Sequence, residues 1–158
     1  MSSDQLHAPR IAGVNDADRG AIETFYRAFG PAGTALLDEA LAPDWEDIPL
    51  APGQAPGRDG MKPLVDAFLA AFPDVQVRVH EMLGVPGRVA VRAEITGTHL
   101  GPWFGVGPTG RTFRMPIHEF HEVADGRVVK TWHLEDWLGW LAQVGAWPAA
   151  AGTPEAAR

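Results

Sequence analysis

The chain has 158 residues, 46% of them hydrophobic and 21% charged, with 13 Lys+Arg against 20 Asp+Glu and a formal charge of −7. That length suits one domain, and no apolar run is long enough to span a bilayer. The negative field repels phosphate backbones and anionic lipid, so neither nucleic acid nor a membrane is an expected partner. With no cysteine there are no disulfides, thiolate metal sites or cysteine nucleophiles, and the first ten residues lack the basic start and apolar stretch of a secretory signal, which points to the cytoplasm.

Residues 1–14, with Pro9, Gly13 and no periodicity, read as a flexible arm. Residues 15–147 read as one domain, and the Ala/Gly/Pro-rich segment 148–158 as a flexible tail. Ile22, Phe25, Tyr26 and Phe29 fall at i, i+3, i+4 and i+7, the stripe of a helix that Asn15 caps and Gly30-Pro31 ends. A short second helix is expected over 33–41, burying Leu37 and Leu41 and stopped by Pro43. Trp45-Glu46-Asp47-Ile48 reads as a short strand entering a Pro/Gly loop. Met61, Leu64, Val65, Phe68, Leu69 and Phe72 mark a third helix, closed by Pro73.

The period then changes from helical to alternating. Val75, Val77 and Val79 alternate with polar residues, as do Val89, Val91, Ala93 and Ile95. A loop over 100–110 carries Trp103-Phe104. Strands follow over 112–123 and 127–135, joined by the hairpin turn Asp125-Gly126. Trp137, Trp140, Leu141 and Val144 complete a last helix, which Gly145 caps. Helices first, then an antiparallel meander, then a helix define an α+β fold. A curved sheet with three helices across one face leaves a conical pocket.

The densest polar cluster lies in the last two strands. Glu119 and His121 share one face of the first, with His118 and Phe120 on the other; His133 and Glu135 share one face of the second, opposite Trp132, Leu134 and Asp136. Either face sets an imidazole beside a carboxylate. Three readings fit: a solvated strand face with a cross-strand ion pair, a proton-transfer site, or a metal site. The spacing His118-x-x-His121 suggests metal, but residues three apart on a flat strand point to opposite faces. Asp47 either reaches the pocket mouth or caps a turn. Trp103-Phe104 either caps an apolar ligand or enters a dimer contact. Trp45, Phe25 and Tyr26 join them as candidate substrate contacts. No P-loop spacing and no Gly-x-Ser-x-Gly elbow occurs.

The segment Asp125-Gly126-Arg127-Val128-Val129-Lys130-Thr131-Trp132-His133-Leu134-Glu135-Asp136, with Leu138-Gly139-Trp140-Leu141-Ala142-Gln143-Val144-Gly145 after it, resembles the C-terminal signature of the SnoaL-like polyketide (ester) cyclases. Gly107-Pro108-Thr109-Gly110-Arg111-Thr112-Phe113 resembles the family's lead into the penultimate strand, and Phe25-Tyr26, Leu41-Ala42-Pro43-Asp44-Trp45 and Gly57-Arg58-Asp59-Gly60 fit its helical half. The resemblance covers about residues 20–145.

It implies the nuclear transport factor 2-like cone, a homodimer through the outer sheet face, and ring closure of an apolar, carbonyl-bearing substrate by acid–base catalysis without metal or cofactor. The family's proton-transfer aspartate on the last strand falls at His133, or at Asp136 in a shifted register, and its partner histidine falls near Glu119. The pair is thus kept with the residue types exchanged. On this reading His133 is a base tuned near neutral pH, Glu119 and Glu135 orient it, and His118, His121 or Asp136 supplies an acid. Because the departure can change the reaction, isomerisation and dehydration stay open beside cyclisation. The alternative is a non-catalytic small-ligand-binding or scaffolding module of the same fold.

Overall fold

Alternation along the second half folds it into a sheet, and the helical stripes of the first half cover one face of that sheet. The computed structural model describes residues 8–147. The elements run β1 (Arg10–Ala12), α1 (Asp16–Arg27), a 3₁₀ turn (Thr34–Leu36), α2 (Leu37–Ala40), β2 (Leu41–Ile48), α3 (Arg58–Ala71), β3 (Gln76–Val85), β4 (Arg88–Thr98), β5 (Thr112–Ala124), β6 (Arg127–Glu135) and α4 (Trp137–Val144). None of these helices is long and apolar enough to cross a membrane.

The six strands form one sheet in the order β1-β3-β4-β5-β6-β2. The four central strands are the expected antiparallel meander. Both edge strands pair in parallel, β1 with β3 and β2 with β6. The arm expected over 1–14 is therefore corrected in part: Arg10–Ala12 is an edge strand, while residues 1–7, like the expected tail 148–158, lie outside the described residues. Gly13 permits this docking. It adopts φ 73°, and a Cβ there would sit 1.9 Å from the Gly84 carbonyl oxygen. The second helix is shorter than its pattern suggested, and Pro43 lies inside β2. The strand tolerates it at the sheet edge, where the register with β6 shifts between Leu41 and Glu46.

β5 alternates buried and exposed almost without interruption. Phe113, Met115, Ile117, Glu119, His121 and Val123 face the concave side. Ile22, Phe25 and Tyr26 of α1 cover β5 and β6, each fully buried apolar side chain contributing about 1.5–3 kcal/mol. Asn15 caps α1 by accepting from the Asp18 amide at 2.8 Å. Asp18, itself buried, accepts from the Gly87 amide at 2.7 Å, tying the helix start to the β3–β4 turn. An edge-to-face cluster of Phe68, Phe72, Trp103, Phe113 and Trp140 fills the other end of the cone.

Candidate active site

Between the helices and the concave face lies a cavity of about 100 Å³. Phe25 of α1, Phe29 from the turn after it and Phe68 of α3 form its walls, with Trp103 and Phe104 from the loop after β4 and Trp137 from α4. Phe104 sits at the loop tip, half exposed, with φ 47°. A left-handed backbone at a bulky residue costs about 1–3 kcal/mol. Five ionisable groups line the cavity: Tyr26, Asp47, Glu119, His133 and Glu135.

Two hydrogen-bond networks make its floor. Glu119 and His121 point inward because they share the buried face of β5. The Tyr26 hydroxyl donates to Glu119 Oε2 at 2.5 Å, and His121 Nε2 lies 3.1 Å from the Tyr26 oxygen and 3.2 Å from Glu119 Oε2. Trp45 Nε1 donates to Thr131 Oγ1 at 3.0 Å, and that hydroxyl is 3.0 Å from His121 Nδ1. With the phenol hydrogen on Glu119, Nε2 faces only acceptors and carries a proton, while Nδ1 shares a hydrogen bond with the Thr131 hydroxyl, which can give or take it. Burial, reinforced by the charge and hydrogen bond of Glu119, holds the Tyr26 pKa well above 10. The other oxygen of Glu119 has no partner among the described residues.

The second network centres on His133, whose β6 position pairs with Glu119 of β5. Its Nδ1 is 2.8 Å from Glu135 Oε1; its Nε2 is 2.8 Å from the Pro49 carbonyl and 3.2 Å from Asp47 Oδ1. Gln54 donates to Asp47 Oδ2 at 2.8 Å, and Trp137 Nε1 donates to Glu135 Oε2 at 3.3 Å. Both ring nitrogens thus face acceptors, which only an imidazolium satisfies. Burial acts against the charge, but the hydrogen bonds and charges of Asp47 and Glu135 overcome it and raise the pKa to about 11. The expectation of a near-neutral histidine base at 133 is corrected on this ground.

Four further expectations change. His118 is exposed on the outer face of β5, as the alternation requires. Asp136 is exposed and caps α4, accepting from the Gly139 amide at 2.8 Å. Trp45 is buried behind the floor, where it holds Thr131 rather than lining the cavity. His121 also sits one layer back. Phe25, Tyr26, Asp47, Trp103 and Phe104 do line the cavity. Among the described residues no group of three or more His, Asp and Glu side chains is arranged to hold a metal ion.

Sequence reasoning missed Thr131, although it lies two residues before His133 on the same face. It also missed Gln54, the Pro49 carbonyl, and His99. This last histidine is fully buried beside Trp140, with Nδ1 3.1 Å from Thr109 Oγ1.

The curved sheet, covering helices and polar-floored hollow are those of a nuclear transport factor 2-like cone. The sequence over residues 20–144 matches the SnoaL-like polyketide cyclase family, and the chain belongs to that family. Among solved structures it is similar to TsrD from Streptomyces laurentii (TM-score 0.77, 22% identity, 84% of this chain and 98% of that one). It is also similar to IdmH, a proposed polyketide cyclase from Streptomyces antibioticus (TM-score 0.71, 34% identity, 81% and 98%). A third similar structure is AclR, a proposed hydroxylase from Streptomyces galilaeus (TM-score 0.70, 26% identity, 83% and 86%). No functionally curated protein matches the chain in sequence.

Proposed function

We propose that the chain is an acid–base enzyme of the polyketide-cyclase kind. It acts in the cytoplasm, without metal or cofactor, on an apolar carbonyl compound. One observation carries this reading: Glu119 is a buried carboxylate with one oxygen fixed by Tyr26 and His121 and the other free in an apolar cavity. That oxygen takes a proton from the carbon next to the carbonyl, and the C–H electron pair becomes the enolate. Once Glu119 is a neutral acid it accepts more weakly. The Tyr26 hydroxyl then turns to the oxygen on which the enolate charge grows. The His133 imidazolium supports that charge through space, since its N–H groups are engaged. The enolate carbon closes a ring on a second carbonyl, whose oxygen takes the proton back from Glu119; in an isomerisation Glu119 returns it to another carbon, and in a dehydration to a β-hydroxyl that leaves as water.

The test is exchange of the acidic α-proton of a β-keto ester for solvent deuterium, followed by NMR. Glu119→Gln is expected to lower the catalysed rate by about 10²–10⁴-fold with the fold retained, the usual worth of a positioned base. Wild-type exchange in that variant would end the proposal. A second reading, a non-catalytic binding pocket, is favoured by the small cavity, about 100 Å³ against about 300–1,000 Å³ for common ligand sites. No catalysed exchange with any β-keto ester would support it.

The partner we propose is a second copy of the chain on the outer sheet face. Phe120, Leu134 and Trp132 are exposed there, 61%, 75% and 36% respectively, and Phe120 pairs with Trp132 across the strands. A contiguous apolar surface of this kind marks an interface.

A further inference from the structure

Every side-chain hydrogen at the cavity floor is engaged. The Tyr26 hydroxyl serves Glu119, and the His121 Nε2–H serves Tyr26 and Glu119. Gln54 serves Asp47, Trp137 serves Glu135, and His133 serves Glu135, Pro49 and Asp47. The Trp103 indole N–H has no partner among the described residues but is closed off from solvent, so it offers nothing to an occupant of the cavity. What remains open are acceptors. Among the described residues Glu119 keeps one oxygen without a partner, although it is only 6% exposed. Three carboxylates stand against one imidazolium, and no described Lys or Arg lines the cavity. The walls are largely aromatic, with Phe25, Phe29, Phe68, Trp103, Phe104 and Trp137 lining them.

We infer that the cavity selects a ligand whose polar end is a protonated nitrogen, an ammonium or a protonated nitrogen heterocycle, on a small apolar skeleton. The N–H brings the donor that the floor lacks and meets the open oxygen of Glu119 in a charge-assisted bond. Its positive charge is attracted by the carboxylate excess of the lining. A carboxylate or phosphate finds no donor there and is repelled by like charge, so the same floor excludes anions. The inference rests on the acid–base reading in placing its ligand at Glu119, and it adds the charge class of a ligand that occupies the same oxygen and so competes with the carbonyl substrate.

The test titrates the whole chain near neutral pH with benzylammonium, benzyl alcohol and benzoate, following the His133 and Trp137 NMR signals. Benzylammonium is expected to bind at least about tenfold more tightly than benzyl alcohol, with no saturable response to benzoate. Glu119→Gln is expected to remove most of that preference, weakening benzylammonium far more than benzyl alcohol. Glu135→Gln, which removes a second carboxylate, carries the same expectation should the first variant not fold.

Benzoate or benzyl alcohol binding as tightly as benzylammonium, a preference indifferent to both substitutions, or no binding by any probe overturns the inference. The two readings fail separately. Glu119-dependent α-proton exchange without benzylammonium binding leaves the acid–base chemistry and removes the charge class. Benzylammonium binding without exchange leaves a cation pocket and removes the chemistry.

Discussion

Glu119 and His133 face each other across β5 and β6, yet their side chains turn to different neighbours. Glu119 is held by Tyr26 and His121, and His133 by Asp47, Glu135 and the Pro49 carbonyl. The floor is thus divided into a carboxylate with an open oxygen and an imidazolium with none of its hydrogens free. This division is why proton transfer is placed on Glu119 rather than on the histidine opposite it.

Tyr26→Phe keeps the ring and deletes the hydroxyl. It removes the donor to Glu119 and the acceptor of the His121 Nε2–H, both buried. The expected loss is about 1–3 kcal/mol of stability in urea unfolding. Catalysed α-proton exchange is expected to fall by about 10²-fold or more, the worth of one oxyanion donor.

His133 gives stability a pH dependence of definite sign. Its folded pKa, about 11, lies above the ordinary 6.5. The stabilisation is full below about pH 6.5 and declines as pH rises through the folded value. Tyr26, also raised, adds a loss only above its ordinary value of 10. Urea midpoints between about pH 6.5 and 9.5 therefore isolate the histidine. Wild type is expected to weaken steadily across that window, and His133→Gln to show a flatter profile. In the wild type, ¹⁵N NMR at about pH 8 is expected to show both ring nitrogens protonated.

Thr131→Val preserves shape and removes the hydroxyl that bridges Trp45 and His121. Two buried groups, the indole N–H and His121 Nδ1, lose their partner. The expected cost is about 1–3 kcal/mol for each, read as a lower urea midpoint. Thr131→Ser is expected to recover most of it. The ¹⁵N shift of His121 Nδ1 is expected to move in the valine variant, where its hydrogen bond is lost, and to return in the serine variant, with Nε2 still protonated against Tyr26 and Glu119.

Phe120→Lys places a charge on the exposed apolar row of the outer face. Sedimentation is expected to show wild-type dimers, with the dissociation constant raised at least about tenfold in the variant. The His133 resonances are expected to stay unchanged, because Phe120 points away from the cavity.

Much of the fold was legible because two periods, helical and alternating, mark its elements. The same alternation sorted the cluster correctly into pairs: Glu119 with His121, His133 with Glu135. It could not say which pairs face inward, because the usual polarity of a sheet is reversed here. The concave side of β5 and β6 carries Glu119, His121, Thr131, His133 and Glu135, while the convex side carries Phe120, Trp132 and Leu134. A rule that turns apolar residues inward reads this stretch backwards. Contacts between distant segments left no local trace either. Tyr26 reaches Glu119 across 93 positions of chain, and His133 meets the Pro49 carbonyl across 84. The charge state of His133 followed from those contacts and was not legible from residue type.

The bond between Asp18 and the Gly87 amide has a bearing on chemistry some distance away. Tyr26 lies eight residues further along the same helix, about 12 Å at 1.5 Å per residue. The helix is moored at one end to the far rim of the sheet, and the phenol rides near the other like the tip of a pointer. Its aim at Glu119 is set from that rim as much as from the hollow itself, so a substitution at Asp18 would be felt as a misdirected hydroxyl as well as a frayed helix start.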